Sequence, residues 1–236
     1  MAKRAGVASK TAFFEAAREW RAADVAAMAR EVPKLVASRD NSGRTALHVC
    51  SRRQAKDVAE RKRALATARA LIAAGADVNA IHEIPDDGEI FPATALWHAL
   101  VWGRNRPLGG YLLARGSDPN HCLFGLVWND DLASAKLVRR YGALLDEFGH
   151  GETPLIYAAR HQRARFAEWL LRQGADATLR DRRGFTALHH AVRRRLPSST
   201  LRLLARSGAD VHAIADGGAT VGSLATRAQR RLLGID

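Results

Sequence analysis

The chain has few cysteines, and their number and placement do not support a disulfide framework. Only Cys50 and Cys122 occur among 236 residues, each within an apolar segment. Small domains held together by disulfides need more cysteines in a shorter chain, so this usage favours a reducing compartment. We therefore expect a cytoplasmic protein.

Long apolar runs are also absent. No stretch approaches the ~18 to 20 apolar residues that a membrane-spanning helix needs, so we expect no membrane insertion. The start MAKRAGVASK is basic, but TAFFEAAREW follows it in place of an apolar core and a small-residue cleavage site. We therefore expect that this segment is not a secretory signal.

Catalytic motifs and metal-ligand spacings are missing as well. The sequence contains no nucleophile elbow, phosphate-binding loop or dinucleotide fingerprint. Nine histidines are present, but none lies at a zinc-site spacing from cysteine, aspartate or glutamate. The acidic run at 86–89 lacks the ligand spacing of a calcium loop. We expect no catalytic residues, no metal and no cofactor, and we predict that the chain is not an enzyme.

Basic charge, by contrast, is abundant. The formal net charge is +13 at pH 7, which favours an anionic partner such as nucleic acid, an acidic protein or a membrane surface. However, the chain holds 31 arginines against 6 lysines, and alanine is very frequent. This bias is typical of a GC-rich genome and indicates a bacterial source. The charge therefore has two explanations, function and coding bias, that composition does not separate.

Two short phrases recur along the chain in a fixed order. The first is TALH or a close variant, which begins at Thr45, Thr94, Thr153 and Thr186. The second is a leucine-rich run that reaches a glycine, at Gly75, Gly116, Gly142, Gly174 and Gly208. The first phrase advances from 153 to 186, so the unit is about 33 residues long. Threonine is suited to capping a helix N-terminus, and glycine to ending a second helix in the left-handed conformation.

This pattern resembles the ankyrin repeat, over roughly residues 10–236. The resemblance implies an all-α solenoid of stacked helix-turn-helix units with β-hairpin fingers and terminal caps. It also implies that His48 and His189 hydrogen-bond to the backbone of adjacent loops. As a single domain, the chain would consist of a capping unit at 10–39, repeats at about 40–81, 82–119, 120–146, 147–180 and 181–213, and a C-terminal cap at 214–236, after a basic tail at 1–9.

The repeat spacing is irregular in three places. Extra residues fall in the charged stretch 54–62, between the helices of one unit, and in the acidic finger 82–90. We expect both to project from the body, although an alternative is that the finger folds over the basic groove and regulates it. The unit at 120–146 is degenerate, because HCLF at 121–124 replaces the threonine phrase and most of its finger has been lost.

Partner binding is expected on the concave surface, which fingers and inner helices form in repeat solenoids. In the family, the positions five and six residues beyond the third residue of each threonine phrase face this groove. Here they are Arg52, Arg53, Val101, Trp102, Trp128, Asn129, Arg160, His161, Arg193 and Arg194. The fingers add Arg44, His150, Arg182, Arg183 and Phe185.

These residues have two interpretations. In the first, arginine simply occupies exposed sites and the two tryptophans pack beneath fingers. In the second, tryptophans flanked by arginines form an interface hot spot.

The hot-spot interpretation predicts a non-catalytic protein-protein interaction module that is a monomer on its own. Its partner would have an acidic or aromatic-anchored surface, and the chain would act as an inhibitor, immunity protein or adaptor. The alternative is nucleic-acid binding, in which arginines contact phosphates and tryptophans stack on bases. Arginine suits carboxylates and phosphates equally, so its presence does not separate the two.

Overall fold

The computed structural model describes residues 8–86 and 88–235, which divide between two compact units, Met1–Cys122 and Leu123–Asp236. The basic tail at 1–9 lies mostly outside the described residues. The first unit contains α1 (Lys10–Arg18), α2 (Ala22–Glu31), a 3-10 turn (Pro33–Leu35), α3 (Ala46–Arg52), α4 (Val58–Ala73), β1 (His82–Asp86), β2 (Glu89–Ala93), α5 (Ala95–Trp97), a π-helix (His98–Trp102) and α6 (Arg106–Ala114). The second contains α7 (Leu123–Trp128), α8 (Leu132–Arg140), α9 (Pro154–Arg160), α10 (Ala164–Arg172), α11 (Ala187–Arg193), α12 (Ser198–Arg206), α13 (Val221–Leu224) and α14 (Arg227–Leu233).

Consecutive helices form hairpins, and neighbouring hairpins stack within each unit. In the first unit α1 packs on α3 and α2 on α4; in the second, α9 packs on α11 and α10 on α12. The close approach of inner helices depends on small buried side chains such as Ala158 and Ala159. The predicted all-α architecture is confirmed. Of the described helices, none is both long and apolar enough to cross a membrane.

The threonine phrases begin helices in the predicted way. Thr153 Oγ1 accepts a hydrogen bond from the Ile156 amide at 3.4 Å, and this satisfies a donor that the first helical turn leaves free. At Thr186 the cap is reciprocal, because the Thr186 amide donates to Nδ1 of His189 at 3.1 Å. His48 makes the same contact with the Thr45 amide at 3.1 Å. Both histidines therefore cap their own helices, and among the described residues only Nε2 of His48 also reaches an adjacent loop, at 3.3 Å from the carbonyl oxygen of Ala93, as the resemblance implies.

Glycine ends the second helix of the five predicted repeats, also as predicted, whereas α2 of the capping unit ends at Glu31 with Val32 as its cap. α4 ends at Ala73 and α10 at Arg172, each two residues before its glycine, and the φ angles of Gly75 and Gly174 are 91° and 93°. Gly116, Gly142 and Gly208 take the same left-handed conformation. A side chain at such a residue would be strained, which is why this position favours glycine.

The charged stretch at 54–62 differs from its prediction. α4 begins at Val58, so the second half of the stretch is helical, and α4 reaches 16 residues. Glu60 is buried, and its carboxylate accepts hydrogen bonds from the Lys56 amide at 2.8 Å and from Arg53 at 3.2 Å. The expectation that this whole stretch projects was wrong, because the extra residues lengthen a helix and one of them anchors its first turn.

The finger at 82–90 is a β-hairpin, with β1 antiparallel to β2 and His82 opposite Ala93. It is the only sheet of more than isolated bridges among the described residues. Its base is packed, since His82 and Ala93 are buried and the Phe91 ring lies 5.1 Å from that of Trp97. Ile90, near the tip, is 64% exposed. The finger therefore projects only at its tip, and the expectation was wrong for its base.

Candidate functional site

In the first unit, the predicted arginines contact groups of their own fold. Arg44 forms an ion pair with Asp40 at 2.7 Å. The Arg52 guanidinium lies 4.4 Å from the centre of the Trp102 ring, and that of Arg53 lies 4.4 Å from the Trp20 ring. Each cation gains from the negative face of the ring beneath it. Arg44 and Arg53 in particular serve local packing.

Trp102 lies in the π-helix, where its ring is half-buried. Its ring centre is 4.7 Å from that of Trp97 and 4.8 Å from that of His98. The π-helix accommodates one extra residue. The left-handed turn residue Arg104 comes ten positions after Thr94, whereas Gln162 comes nine positions after Thr153. The count from the threonine phrase, which assumes a regular helix, is therefore one residue short in this unit. Val101, which the count placed in the groove, is buried at 7% exposure.

Three histidines of the first unit cluster beside Trp102, an arrangement that no sequence spacing indicates. Ring centres of His48, His82 and His98 lie 5.2 to 5.9 Å apart, and Nδ1 of His82 is 3.0 Å from Nε2 of His98. Burial, and then the charges of neighbouring histidines, lower the pKa of His48 to about 4 and that of His98 to about 2. The cluster is therefore neutral at pH 7. Nowhere in the described ranges do histidine, cysteine, aspartate or glutamate side chains form a group suited to a metal ion.

The second unit presents four aromatic rings, which we call the aromatic patch: Phe124, Trp128, Tyr157 and His161. Phe124 and Trp128 are four residues apart on α7, and Tyr157 and His161 are four apart at the end of α9. Side chains at that spacing lie on one face of a helix. Since α7 packs on α9, the two pairs meet and form a two-by-two array.

The rings of the aromatic patch contact one another across the two helices. Phe124 lies 5.6 Å from Tyr157, Tyr157 lies 4.3 Å from His161, and Trp128 lies 5.7 Å from His161. Trp128 is nevertheless 59% exposed, and the other three are half-buried. The count from the threonine phrases identified Trp128 and His161 but missed Phe124 and Tyr157. The four-residue spacing within each helix was the signal that would have identified them.

Arg160 borders the aromatic patch and pairs with a buried acid. Its guanidinium lies 5.5 Å from the Tyr157 ring and donates from Nη2 to Oε1 of Glu152. The Glu152 side chain is only 5% exposed. Burial raises its pKa to about 7 and outweighs the opposing effect of Arg160. Glu152 therefore titrates near neutral pH, directly behind an arginine of the surface.

Beside Arg160 the second unit has a cavity of about 210 Å³, which we call the arginine pocket. Its residues come from the end of α9, the turn before α11, and α11 with its C-cap; they are Arg160, Asp181, Arg183, Phe185, His190, Arg193 and Arg194. Five of these are predicted site residues, and the structure brings them together. Phe185 is buried at 9% exposure and packs against His189 and His190, so it forms part of the support rather than an exposed contact.

The remaining predicted residues lie around these features. Arg182 is exposed, and its backbone amide donates to the Gly151 carbonyl at 3.0 Å. His150 is exposed, with its ring 6.3 Å from that of Phe124. Asn129 is half-buried at the end of α7. Arg182 and His150 thus belong to turns that adjoin the second unit's inner helices.

Comparison with known proteins identifies related sequences and folds. Residues 42–83 match the family model described as ankyrin repeat, and residues 123–215 match the model described as ankyrin repeats, three copies. Together the two matches span more than half of the chain.

Two solved structures share the fold at low sequence identity. The human ASB11 ankyrin repeat domain has a TM-score of 0.68 and 21% identity, over 95% of this chain and 97% of that one. The ankyrin repeat domain of Bcl-3, described as a unique member of the IkappaB protein family, has a TM-score of 0.68 and 22% identity, over 94% and 96%.

Proposed function

Because the chain belongs to the ankyrin-repeat family, whose repeats are generally protein-protein interaction modules, we propose that it binds another protein and catalyses no reaction. An inhibitor, immunity protein or adaptor needs only such a binding surface. The reducing cytoplasm expected from Cys50 and Cys122, both buried free thiols, and a monomeric state of the free chain are parts of the same proposal.

The aromatic patch of the second unit is the observation that carries this proposal. A tryptophan that is 59% exposed leaves a large apolar surface in water and gains little from folding. His161, which itself packs on Tyr157, contacts the Trp128 ring from one side, so less side-chain freedom would be lost when a partner covers it. Tryptophan, tyrosine and arginine are the residue types that dominate binding energy at protein interfaces. The aromatic patch and Arg160 together have that composition.

Trp102, in contrast, supports the first unit more than it offers an anchor. Its ring is half-buried between Trp97 and His98, and Arg52 covers it. We therefore assign partner binding to Trp128 and its neighbours, with Arg52 and Trp102 as a secondary contact.

Nucleic-acid binding is the second candidate, and exposed arginines close to an exposed tryptophan favour it. Arg182, Arg183 and Arg193 to Arg195 are all exposed in the second unit. Such a complex would depend on several phosphate contacts, and its affinity would fall ~1,000-fold or more between low and moderate salt. A protein complex anchored by Trp128 would lose much less, since burial of an apolar ring is not screened by ions.

The test is affinity capture from the source lysate with three forms of the full chain: wild type, Trp128→Ala and Tyr141→Ala. Tyr141 is a matched control, because it is aromatic, 46% exposed and at the end of α8, away from the aromatic patch. We expect wild type and Tyr141→Ala to retain a protein that survives nuclease treatment, and Trp128→Ala to lose it. Capture that nuclease abolishes, or equal capture by all three forms, would contradict the proposal.

A further inference from the structure

Resting on that proposed function, we propose that the arginine pocket binds one anionic side chain, a carboxylate or a phosphate, of the protein segment whose apolar residue covers the aromatic patch. Arg160 joins the two sites, because it lines the pocket and also lies 5.5 Å from the Tyr157 ring. A segment with an aromatic or apolar residue near an acidic one would therefore occupy both.

The positive charge of the arginine pocket is only partly compensated by its own acids. Arg183, Arg193 and Arg194 form no ion pair with any carboxylate in the part of the chain that the structure describes. Arg160 has Glu152 as a partner, but its buried Nε has no hydrogen-bond acceptor among the described residues. Guanidinium groups that line one cavity repel one another, and a bound anion would offset that electrostatic repulsion.

The one acid that lines the pocket is committed to its own turn. Oδ1 of Asp181 accepts from the amides of Arg183 and Phe185 at 2.9 and 3.0 Å. Oδ2 faces Nε2 of His190 at 2.9 Å. Burial lowers the pKa of His190, with a further contribution from Arg160 and Arg193 that Asp181 opposes. His190 is therefore a neutral donor at pH 7, and Asp181 leaves the arginines available to a ligand.

The shape of the pocket suits a single anionic group rather than a polymer of phosphates. Its floor includes the buried Phe185 ring and His190, so a bound group would be partly removed from water. Guanidinium groups hold carboxylates and phosphates through paired, charge-assisted hydrogen bonds, which strengthen where water is excluded. A nucleic-acid surface would instead follow several phosphates along a groove.

The proposal can be tested with synthetic peptides that each carry one tryptophan and one glutamate, separated by one to five serines. Parallel sets replace the glutamate with glutamine or with phosphoserine, and one set replaces the tryptophan with serine. Binding to the full chain is measured by fluorescence anisotropy. We expect at least one glutamate or phosphoserine peptide to bind about 10-fold or more tightly than its glutamine counterpart, as a charged hydrogen bond predicts. The preferred acid distinguishes a carboxylate site from a phosphate site.

Charge-reversal variants test whether the arginine pocket is the part of the chain that causes the preference for an acidic peptide. Arg193→Glu with Arg194→Glu is expected to abolish the preference for the acid, whereas Arg230→Glu with Arg231→Glu, an equal charge change on exposed residues of α14, is expected to preserve it. Arg183→Gln with Arg194→Gln provides a milder pair if the first misfolds, and circular dichroism confirms folding. Equal affinity for glutamate and glutamine peptides, equal losses in both reversals, or no binding at millimolar concentration would overturn the proposal.

The two proposals fail in distinguishable ways. If the arginine pocket binds the acid but the aromatic patch does not bind the tryptophan, the serine-substituted peptides keep both their affinity and their acid preference. If the aromatic patch binds alone, glutamate and glutamine peptides have the same affinity, and Trp128→Ala weakens both. A single-stranded oligonucleotide that outcompetes every peptide would contradict both and favour nucleic acid.

Discussion

Acid is expected to unfold the first unit through the cluster of His48, His82 and His98. The folded pKa of His48 is about 4 and that of His98 about 2, against ordinary values of 6.5, because burial disfavours the charged rings. Both pKa values are lower in the folded state, so the unfolded chain takes up protons first as the pH falls. The stabilising contribution is present above pH 6.5 and declines below it.

The loss of unfolding free energy follows from the pH range over which the unfolded histidines are protonated and the folded ones are not. Between pH 6.5 and about 5, each of the two rings stays neutral in the fold, whereas its unfolded counterpart becomes protonated. At ~1.4 kcal/mol for each pH unit this is about 2 kcal/mol for each ring, or about 4 kcal/mol for the pair. That is a large share of the 5 to 15 kcal/mol of stability typical of a domain.

Urea unfolding at pH 7.5 and pH 5, followed by tryptophan fluorescence, measures the effect, and Trp97 and Trp102, which contact His98, contribute to that signal. His98→Gln is expected to reduce the difference between the two pH values by about 2 kcal/mol, whatever it does to stability at pH 7.5. His212→Gln, at an exposed loop position, is the matched control and should leave the difference unchanged. If His98→Gln unfolds with the pH dependence of wild type, or if acid stabilises wild type, the reasoning is refuted.

Three further outcomes are expected. Trp102→Ala should cost about 2 to 3 kcal/mol of unfolding free energy, because the Trp102 ring packs on Trp97 and His98. Trp128→Ala should cost less than about 1 kcal/mol. If urea titrations gave the reverse order, the two tryptophans would have exchanged roles. Shortening the hairpin tip at 86–89 should change the melting temperature little, because loops tolerate changes in length. His82→Ala should lower the melting temperature clearly, because His82 is buried and contacts His98. A large decrease in melting temperature from shortening the tip alone would contradict the packing described. Acidic peptides should bind the arginine pocket more tightly at pH 6 than at pH 8, because protonation of Glu152, whose pKa is about 7, releases Arg160. Glu152→Gln should remove this pH dependence of the affinity. If anisotropy titrations of the Glu152→Gln variant still show it, Glu152 is not its cause.

The helical architecture was predictable because its signals are local. Thr153 and Thr186 cap the helices that directly follow them, and Gly75 and Gly174 end the helices that directly precede them. Each signal requires only a hydrogen bond or a backbone angle within a few residues. The repeat period then predicts which helices are neighbours.

The candidate site was predictable only in part, because it depends on packing between residues distant in the sequence. Arg160 and Arg193 were identified from their positions after the threonines, but their meeting with Arg183 around one cavity required the stacking of α9 on α11. The burial of Phe185 depends on two histidines of α11. No repeat count contains that information, and a count also assigns Glu60 to a projecting loop although it is buried.

The π-helix at His98–Trp102 limits how this chain can be rebuilt from standard parts. A graft that replaced residues 94–103 with the ten residues that a regular unit has from its threonine to its left-handed turn residue would leave Arg104 as one residue too many, and the side chains of α6 would be rotated by about 100°. Leu108 and Leu112, now fully buried, would then turn away from the core. A graft in the first unit therefore has to count from the turn residue Arg104, or exchange residues 94–114 as one block.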